Sequence, residues 1–469
     1  MNRIVSVAFV VVTVVTGQAA SARADDTLLN QTLAVSLGSE EVGTIEAVDT
    51  KTKDGVELVR TTRLKVKRGE TVNNMLTKTL VKLAADGAPV SYRYERTDAA
   101  GTLVTEGKIV GGNLELTSTQ NGSTVKNSLA VKPGTTFSLA VEHNTREHLK
   151  DGWVFDQPVI IEEMGAPVDM HVEVRALKAP AAGFMVASTF MKLETDEEMD
   201  PKGRTVVART PSMGIVAYPP GHAPADLGSG SADILALSTW ITKEVRPPVS
   251  RVLYRVTAPD AKNFAIPEDD RQKIKERSDK AIVVEVKAGN TSSGKLTDEQ
   301  RKRALSATPY EEVADPRIVK AANLAAAGAT DKRDEVKKLT MFVFKHVSQK
   351  GLDRGYAPAV ATLESKAGDC TEHSVLLSAL LRARGFPTRI IDGVIIDGVH
   401  AGYHEWVEVY LDGVGYVPTD PTFGQFPAGP ERLKLAEGST LPDEQLNLSL
   451  AAARLLKPGV KIEVLESAK

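Results

Sequence analysis

The stretch that decides the fold is Gly368-Asp369-Cys370-Thr371-Glu372-His373, which holds the only cysteine of the 469-residue chain. After it, Val375, Leu376, Ala379, Leu380 and Ala383 recur at helical spacing until Gly385, with Pro387 beyond. That pattern puts the thiol at the N-terminus of a helix that stops at the glycine. Unpaired backbone N–H groups and the helix dipole at such an end favour a thiolate. The same N–H groups suit an oxyanion, which makes the amide of Cys370 its natural donor.

Two further segments supply matching chemistry: His404-Glu405-Trp406 and Val417-Pro418-Thr419-Asp420-Pro421-Thr422. Residues 389–396 and 403–411 read as strands, and period two puts His404, Trp406, Glu408 and Tyr410 on one face. Asp420 lies 16 residues after His404, past the turn-like Asp412-Gly413. A thiol, an imidazole and a carboxylate on separate short elements are the parts of a cysteine acyl-transfer site. Cys370 is the candidate nucleophile, His404 the base and Asp420 the group that orients the imidazole. His400 is a rival base, but it falls in the Gly-rich turn 397–402. A zinc site built from Cys370, His373 and His400 or His404 lacks paired ligand spacing, so neither metal nor other cofactor is expected. Glu372, three residues after Asp369, suits a capping box, and Asp369 and Trp406 are expected to support the site.

The segments 368–373, 380–389, 404–410 and 420–425 resemble the transglutaminase-like superfamily in its bacterial exported branch, over residues 315–426. The resemblance implies a papain-like α+β core, with the nucleophile on a central helix packed against an antiparallel sheet. It carries the same three roles to Cys370, His404 and Asp420. The family spans crosslinking acyltransferases, peptidases, amide hydrolases and members without catalysis. Two departures stand out. Tyr416 replaces a tryptophan found in many relatives, and no tryptophan lies between Trp240 and Trp406 to serve as the oxyanion donor of the animal enzymes. Tyr356, the nearest upstream phenol, is the candidate substitute, against a reading as ordinary packing.

The remainder of the chain organises around that domain. Residues 4–15 are apolar but for Ser6 and Thr13, and Ala22-Arg23-Ala24 follows, which reads as a signal peptide, residues 1–24. Loss of Arg3 and Arg23 would take the formal charge from −3 to −5, giving no electrostatic case for nucleic acid. No membrane-spanning segment is expected after its removal. Residues 25–288 alternate apolar with polar between Asp54-Gly55, Asp86-Gly87, Gly111-Gly112 and Asn121-Gly122, which predicts an antiparallel meander. One helix is expected near 72–85. The polar run that follows places a linker at 289–312 and the thiol domain at 313–469, with helices opening at Asp315-Pro316 and Thr330-Asp331.

The expected class is therefore α+β: a mostly antiparallel β region followed by a transglutaminase-like core. The expected function is that of an exported thiol enzyme, periplasmic or extracellular, acting on amide bonds of a protein or peptide substrate. Hydrolysis ranks ahead of glutamine crosslinking. A non-catalytic envelope-binding protein that keeps the fold is the alternative.

Overall fold

A computed structural model describes residues 26–120, 122–190, 193–227, 233–289, 295–351, 356–457 and 459–469. The signal-peptide reading and part of the expected linker, residues 290–294, lie outside the described residues. The chain divides into two units, one ending at Ile234 and the other Leu235–Lys469.

Among the described residues, the first unit is one sheet of fifteen strands, from Thr27–Leu37 (β1) to Ile215–Tyr218 (β15). The first eight form the expected antiparallel meander. The other seven continue it on the far side of β1, where Ala34 sits opposite Tyr218. Leu114 and Leu116, in the second strand from one edge, share a single core with Ile160, in the second strand from the other. A flat sheet would hold them more than about 50 Å apart at ~4.8 Å per strand, so this sheet curls until its ends meet. The object inside the curl is the helix Ser138–Glu147, whose Leu139 and Ala140 belong to that core.

Two expectations fail here. Residues 71–84 form a strand, paired along its whole length with Gly55–Arg68. The apolar positions Val72, Met75, Leu76, Leu80, Val81 and Leu83 fit either period, and long-range pairing decides. The helix 138–147 was not foreseen because its cap is remote. Glu162 accepts the Leu139 N–H at 3.1 Å and the Ser138 hydroxyl.

In the second unit, Cys370–Ala383 is the central helix, with twelve of its fourteen residues buried. Helices Pro316–Ala325, Lys332–His346 and Ala359–Ser365 pack on one side of it and the strand Thr388–Leu411 (β20) on the other. That strand doubles back. Tyr403 reaches the Asp392 carboxylate at 3.0 Å, and the Tyr410 N–H donates to Pro387 at 2.8 Å. A straight strand would separate the first pair by about 36 Å. The arms pair outward with Arg432–Gly438 (β22) and Gly415–Thr419 (β21), and the bend pairs with Thr239–Val245 (β16).

The expected division at 289–312 falls inside this unit. Strands Arg251–Thr257 (β17) and Lys461–Ala468 pair, and their small sheet is fastened to the loop before β22. Tyr254 donates to the Pro430 carbonyl at 2.8 Å, and the Gln272 side chain and Lys434 backbone exchange two bonds of 2.8 and 2.9 Å. Within that expected linker Asp298–Ala304 is a surface helix, and Thr308, Tyr310 and Glu311 after it are buried. Polar composition reads as a linker in sequence, whereas here the polar groups are hydrogen-bonded inside: Glu311 accepts from Thr440.

Beneath the sheet, Glu408 is fully buried between Arg389 (2.6 Å) and Lys434 (3.2 Å). Burial alone would raise its carboxyl, but Lys434, Arg389 and Arg271 outweigh it and hold the value at about 2. A depressed carboxyl stabilises fully above its unfolded value and loses that stabilisation as pH falls through about 2, here roughly 3 kcal/mol. Glu408→Gln is therefore expected to lower urea-unfolding stability by about 2–4 kcal/mol at pH 7, because Arg389 and Lys434 lose their one fully buried partner and keep only Glu437 and Asp269. The deficit should shrink as pH drops from 5 towards 2; a deficit independent of pH contradicts the ion-pair account.

Candidate functional site

The thiol's position is set by its helix cap. Asp369, the N-cap residue, accepts the Thr371 N–H at 2.9 Å and the Thr371 hydroxyl at 2.8 Å. Glu372 reaches back to the Asp369 N–H at 2.8 Å with one oxygen, closing the expected capping box, and takes the Ala357 N–H at 3.1 Å with the other. Burial, then the neighbouring Asp369, push the Glu372 carboxyl up to about 8. Gly368 is required by this box. Its φ is +156°, and a Cβ there would sit 2.3 Å from the Glu372 Cβ.

Against this helix end lies the second arm of β20. The backbone of Glu405 lies beside the Cys370 sulfur, and one turn along the helix Ser374 donates to the Glu405 carbonyl at 3.0 Å. The thiol thus adjoins the residue after His404. The thiol's acidity runs opposite to the expectation from the helix terminus. Although Cys370 is only half-buried, desolvation by the groups packed around the sulfur is the largest cause and raises it, Asp369 and Glu405 add in the same sense, and the Glu405 N–H only partly offsets them. Sequence shows the dipole but not the desolvation, which dominates here.

His404 is buried, and its Nε2 lies 2.7 Å from Asp420 Oδ2. An ionised carboxylate can only accept, so Nε2 carries the proton and Nδ1 keeps the free lone pair. Trp406 stacks near the imidazole, with ring centres 6.2 Å apart, and Phe423 meets it edge-on at 5.6 Å. Trp406 can lie there because the neighbouring arm carries Gly393. A Cβ at that position would be 2.7 Å from the indole and 2.1 Å from a backbone oxygen.

Asp420 is fully buried. Burial would raise its carboxyl, but His404 and Arg432 hold it well below the usual carboxylate range. Arg432 Nε donates to Oδ2 at 2.7 Å, while the Thr422 and Phe423 N–H groups reach Oδ1 at 2.9 and 3.4 Å. Arg432 was missed in the sequence, since an arginine 12 residues beyond the acid, on another strand, carries no motif.

The structure therefore brings Cys370, His404, Asp420, Asp369 and Trp406 into one neighbourhood. Tyr356 is a core residue with its ring edge-to-face on Tyr310 at 4.8 Å. His400 is exposed, opposite Ile241 on the bend. His373 is buried and donates from Nδ1 to the Asp369 carbonyl at 2.6 Å. Burial holds it below the usual imidazole range. Among the described residues no group of three or more His, Cys, Asp or Glu is arranged to hold a metal.

Residues 320–421 match the family model described as the transglutaminase-like superfamily, inside the span 315–426 read from the motifs. No curated protein gives a match. Among solved structures, a provisionally assigned cysteine protease from Cytophaga hutchinsonii is similar at 15% identity and a TM-score of 0.33, over 50% of this chain and 89% of that one. The periplasmic domain of TgpA from Pseudomonas aeruginosa, bound to ethylmercury, is similar at 17% identity and 0.29, over 45% and 80%. Likenesses at these scores carry no weight about function.

Two outcomes follow from the geometry. Gly368→Ala should cost about 1–3 kcal/mol in thermal or urea unfolding, because it strains the backbone and breaks the capping box. Iodoacetamide modification of Cys370 in a folded His404→Ala variant should level off at a higher pH than in the urea-unfolded chain, which should level off near the ordinary thiol value of about 8.5. Levelling near 8.5 in both states would show that burial does not govern the thiol.

Proposed function

We propose that the transglutaminase-like domain is a thiol enzyme acting on amide bonds of a protein or peptide, with Cys370 as nucleophile, His404 as general base and acid, and Asp420 as the orienting carboxylate. The observation that carries this reading is the buried His404–Asp420 contact of 2.7 Å beside a thiol seated at a helix N-terminus. With Nε2 committed to Asp420, Nδ1 is the nitrogen that takes the thiol proton. A thiol held protonated at rest gives it up to the imidazole as sulfur attacks, so the base acts within the step.

The chemistry balances as follows. The Cys370 S–H proton passes to His404 Nδ1, and sulfur bonds to the amide carbonyl carbon. The resulting oxyanion is met by the Cys370 N–H, which at the first helical position has no intrahelical acceptor. His404 returns the proton to the leaving amine, the C–N bond breaks and an acyl-thioester remains. Water, deprotonated by His404, then releases a carboxylic acid and the thiol. An acceptor amine in place of water gives a new amide.

Hydrolysis is the favoured fate for an exported protein, and export rests on the apolar segment 4–15 with Ala22-Arg23-Ala24. The test incubates the protein and its Cys370→Ala variant with a glutamine-containing casein and a fluorescent amine. Peptide cleavage, ammonia release and amine incorporation are followed together. Cleavage or ammonia that depends on Cys370, without incorporation, is the expected result. Incorporation would make the protein a crosslinking enzyme, and silence in all three would remove the enzymatic reading.

A further inference from the structure

Asp420 receives four donors, two on each oxygen, and only one of them is the base it is proposed to orient. Two are backbone N–H groups of its own turn, Thr422 and Phe423. The fourth is Arg432, whose side chain is almost wholly buried and fully committed. Nε holds Asp420, Nη1 holds Glu431 and Nη2 holds the Gln425 side chain. Gln425 is itself locked to Asp420 by reciprocal backbone bonds of 2.9 Å. The loop that delivers the arginine is tied down by Tyr254, by Gln272 and by Arg271, which donates to the Gly429 carbonyl at 3.4 Å.

We propose that Arg432 is a positioning residue of the triad: by occupying Asp420 Oδ2 alongside His404, it keeps the carboxylate ionised and so keeps the imidazole in the Nε2–H tautomer. This rests on the triad reading above.

A carboxyl this deeply buried gains from taking up a proton unless a cation opposes it, and Arg432 is the permanently charged group bonded to it. If Asp420 became neutral, its O–H would have to point at Nε2, since Thr422 and Phe423 donate to the other oxygen. An imidazole accepting at Nε2 carries its proton on Nδ1. That tautomer offers the thiol no lone pair. Arg432 thus acts on the thiol through two intermediates, at no point touching the reacting atoms. Of the other charged groups near the imidazole, Glu405 on its own strand, Asp369 at the helix cap and Glu431 beside Arg432 are acidic, and the cation Lys350 is held on the Thr422 carbonyl at 2.8 Å, not on the Asp420 carboxylate, so none takes the place of the guanidinium on Oδ2.

The test uses the full chain with 15N-labelled imidazoles, comparing wild type, Arg432→Gln, Arg432→Lys and Gln425→Ala, each first checked for native far-UV circular dichroism. In wild type the His404 spectrum should show protonated Nε2 and unprotonated Nδ1. In Arg432→Gln the pattern should invert, and the Cys370-dependent turnover should fall by at least about tenfold with KM little changed. Arg432→Lys, which keeps the charge but not the fork, should restore the wild-type tautomer and only part of the rate. Should Arg432→Gln fail to fold, Gln425→Ala, which frees one arm of the fork, carries the comparison with a smaller inversion. A folded Arg432→Gln or Gln425→Ala protein with wild-type tautomer and rate overturns the proposal and leaves the arginine a structural ion pair. A wild-type protein that already shows protonated Nδ1 would instead sink the triad reading, and this inference with it.

Discussion

The constraint on which the thiol unit depends is the satisfaction of one buried carboxylate. Asp420 lies where no water reaches it, so every lone pair must be met by protein, and each donor fixes a different element. His404 ties in the long doubled strand, the Thr422 and Phe423 amides shape the turn after β21, and Arg432 brings in β22. The doubled strand in turn holds Glu405, whose backbone lies beside Cys370 and whose carbonyl accepts from Ser374 in the first turns of the central helix. Cys370, His404 and Asp420 are therefore joined through one contiguous set of strand, cap and turn contacts. A displacement of any of those contacts is felt at the sulfur.

Residues 235–288 acquire a purpose from the same constraint. Arg432 can hold Asp420 only if its own loop is rigid, and that loop is fastened by Tyr254, Arg271 and Gln272 from the small sheet. Those residues look like the tail of a β domain when read in order. Their partners lie some 160 to 180 positions away, beyond any local pattern. What appears in sequence as a preceding domain is in part the scaffold of the site.

This separates what the residues disclosed from what they concealed. The helix start at Cys370, its capping box, the two arms of β20 and the position of Asp420 are local, each written in spacing, caps or period. Arg432, the remote cap Glu162 and the division after Ile234 depend on contacts between distant segments, and no short pattern encodes them. The thiol's acidity failed for a related reason. A helix N-terminus is visible in eighteen residues, but the burial that outweighs it is a property of the whole fold. The strand at 71–84 shows the same limit, since an apolar pattern compatible with both periods is decided by the partner Gly55–Arg68.

Each unit holds buried carboxyls of both kinds: in the thiol unit Glu372 is raised by burial to about 8, and in the β unit Arg60 overrides the burial of Asp49 and holds it well below the usual carboxylate range. In the thiol unit, Asp420 and Glu408 stay ionised because cations surround them, so acid removes what stabilises them. In the β unit, the carboxyl of Glu162 is pushed by burial up to about 7, where its bonds to Ser138 and Leu139 only partly offset desolvation. Glu142, close to Arg60 and Arg146, is likewise held at about 7 because burial outweighs both arginines. A carboxyl raised above its unfolded value stabilises the fold fully below about 4.5 and loses that contribution as pH rises through about 7. Acid therefore weighs on Asp420, Glu408 and Asp49, while alkali weighs on Glu372, Glu162 and Glu142. A chain built this way is held best between those limits, and each unit has its own reason to fail on either side.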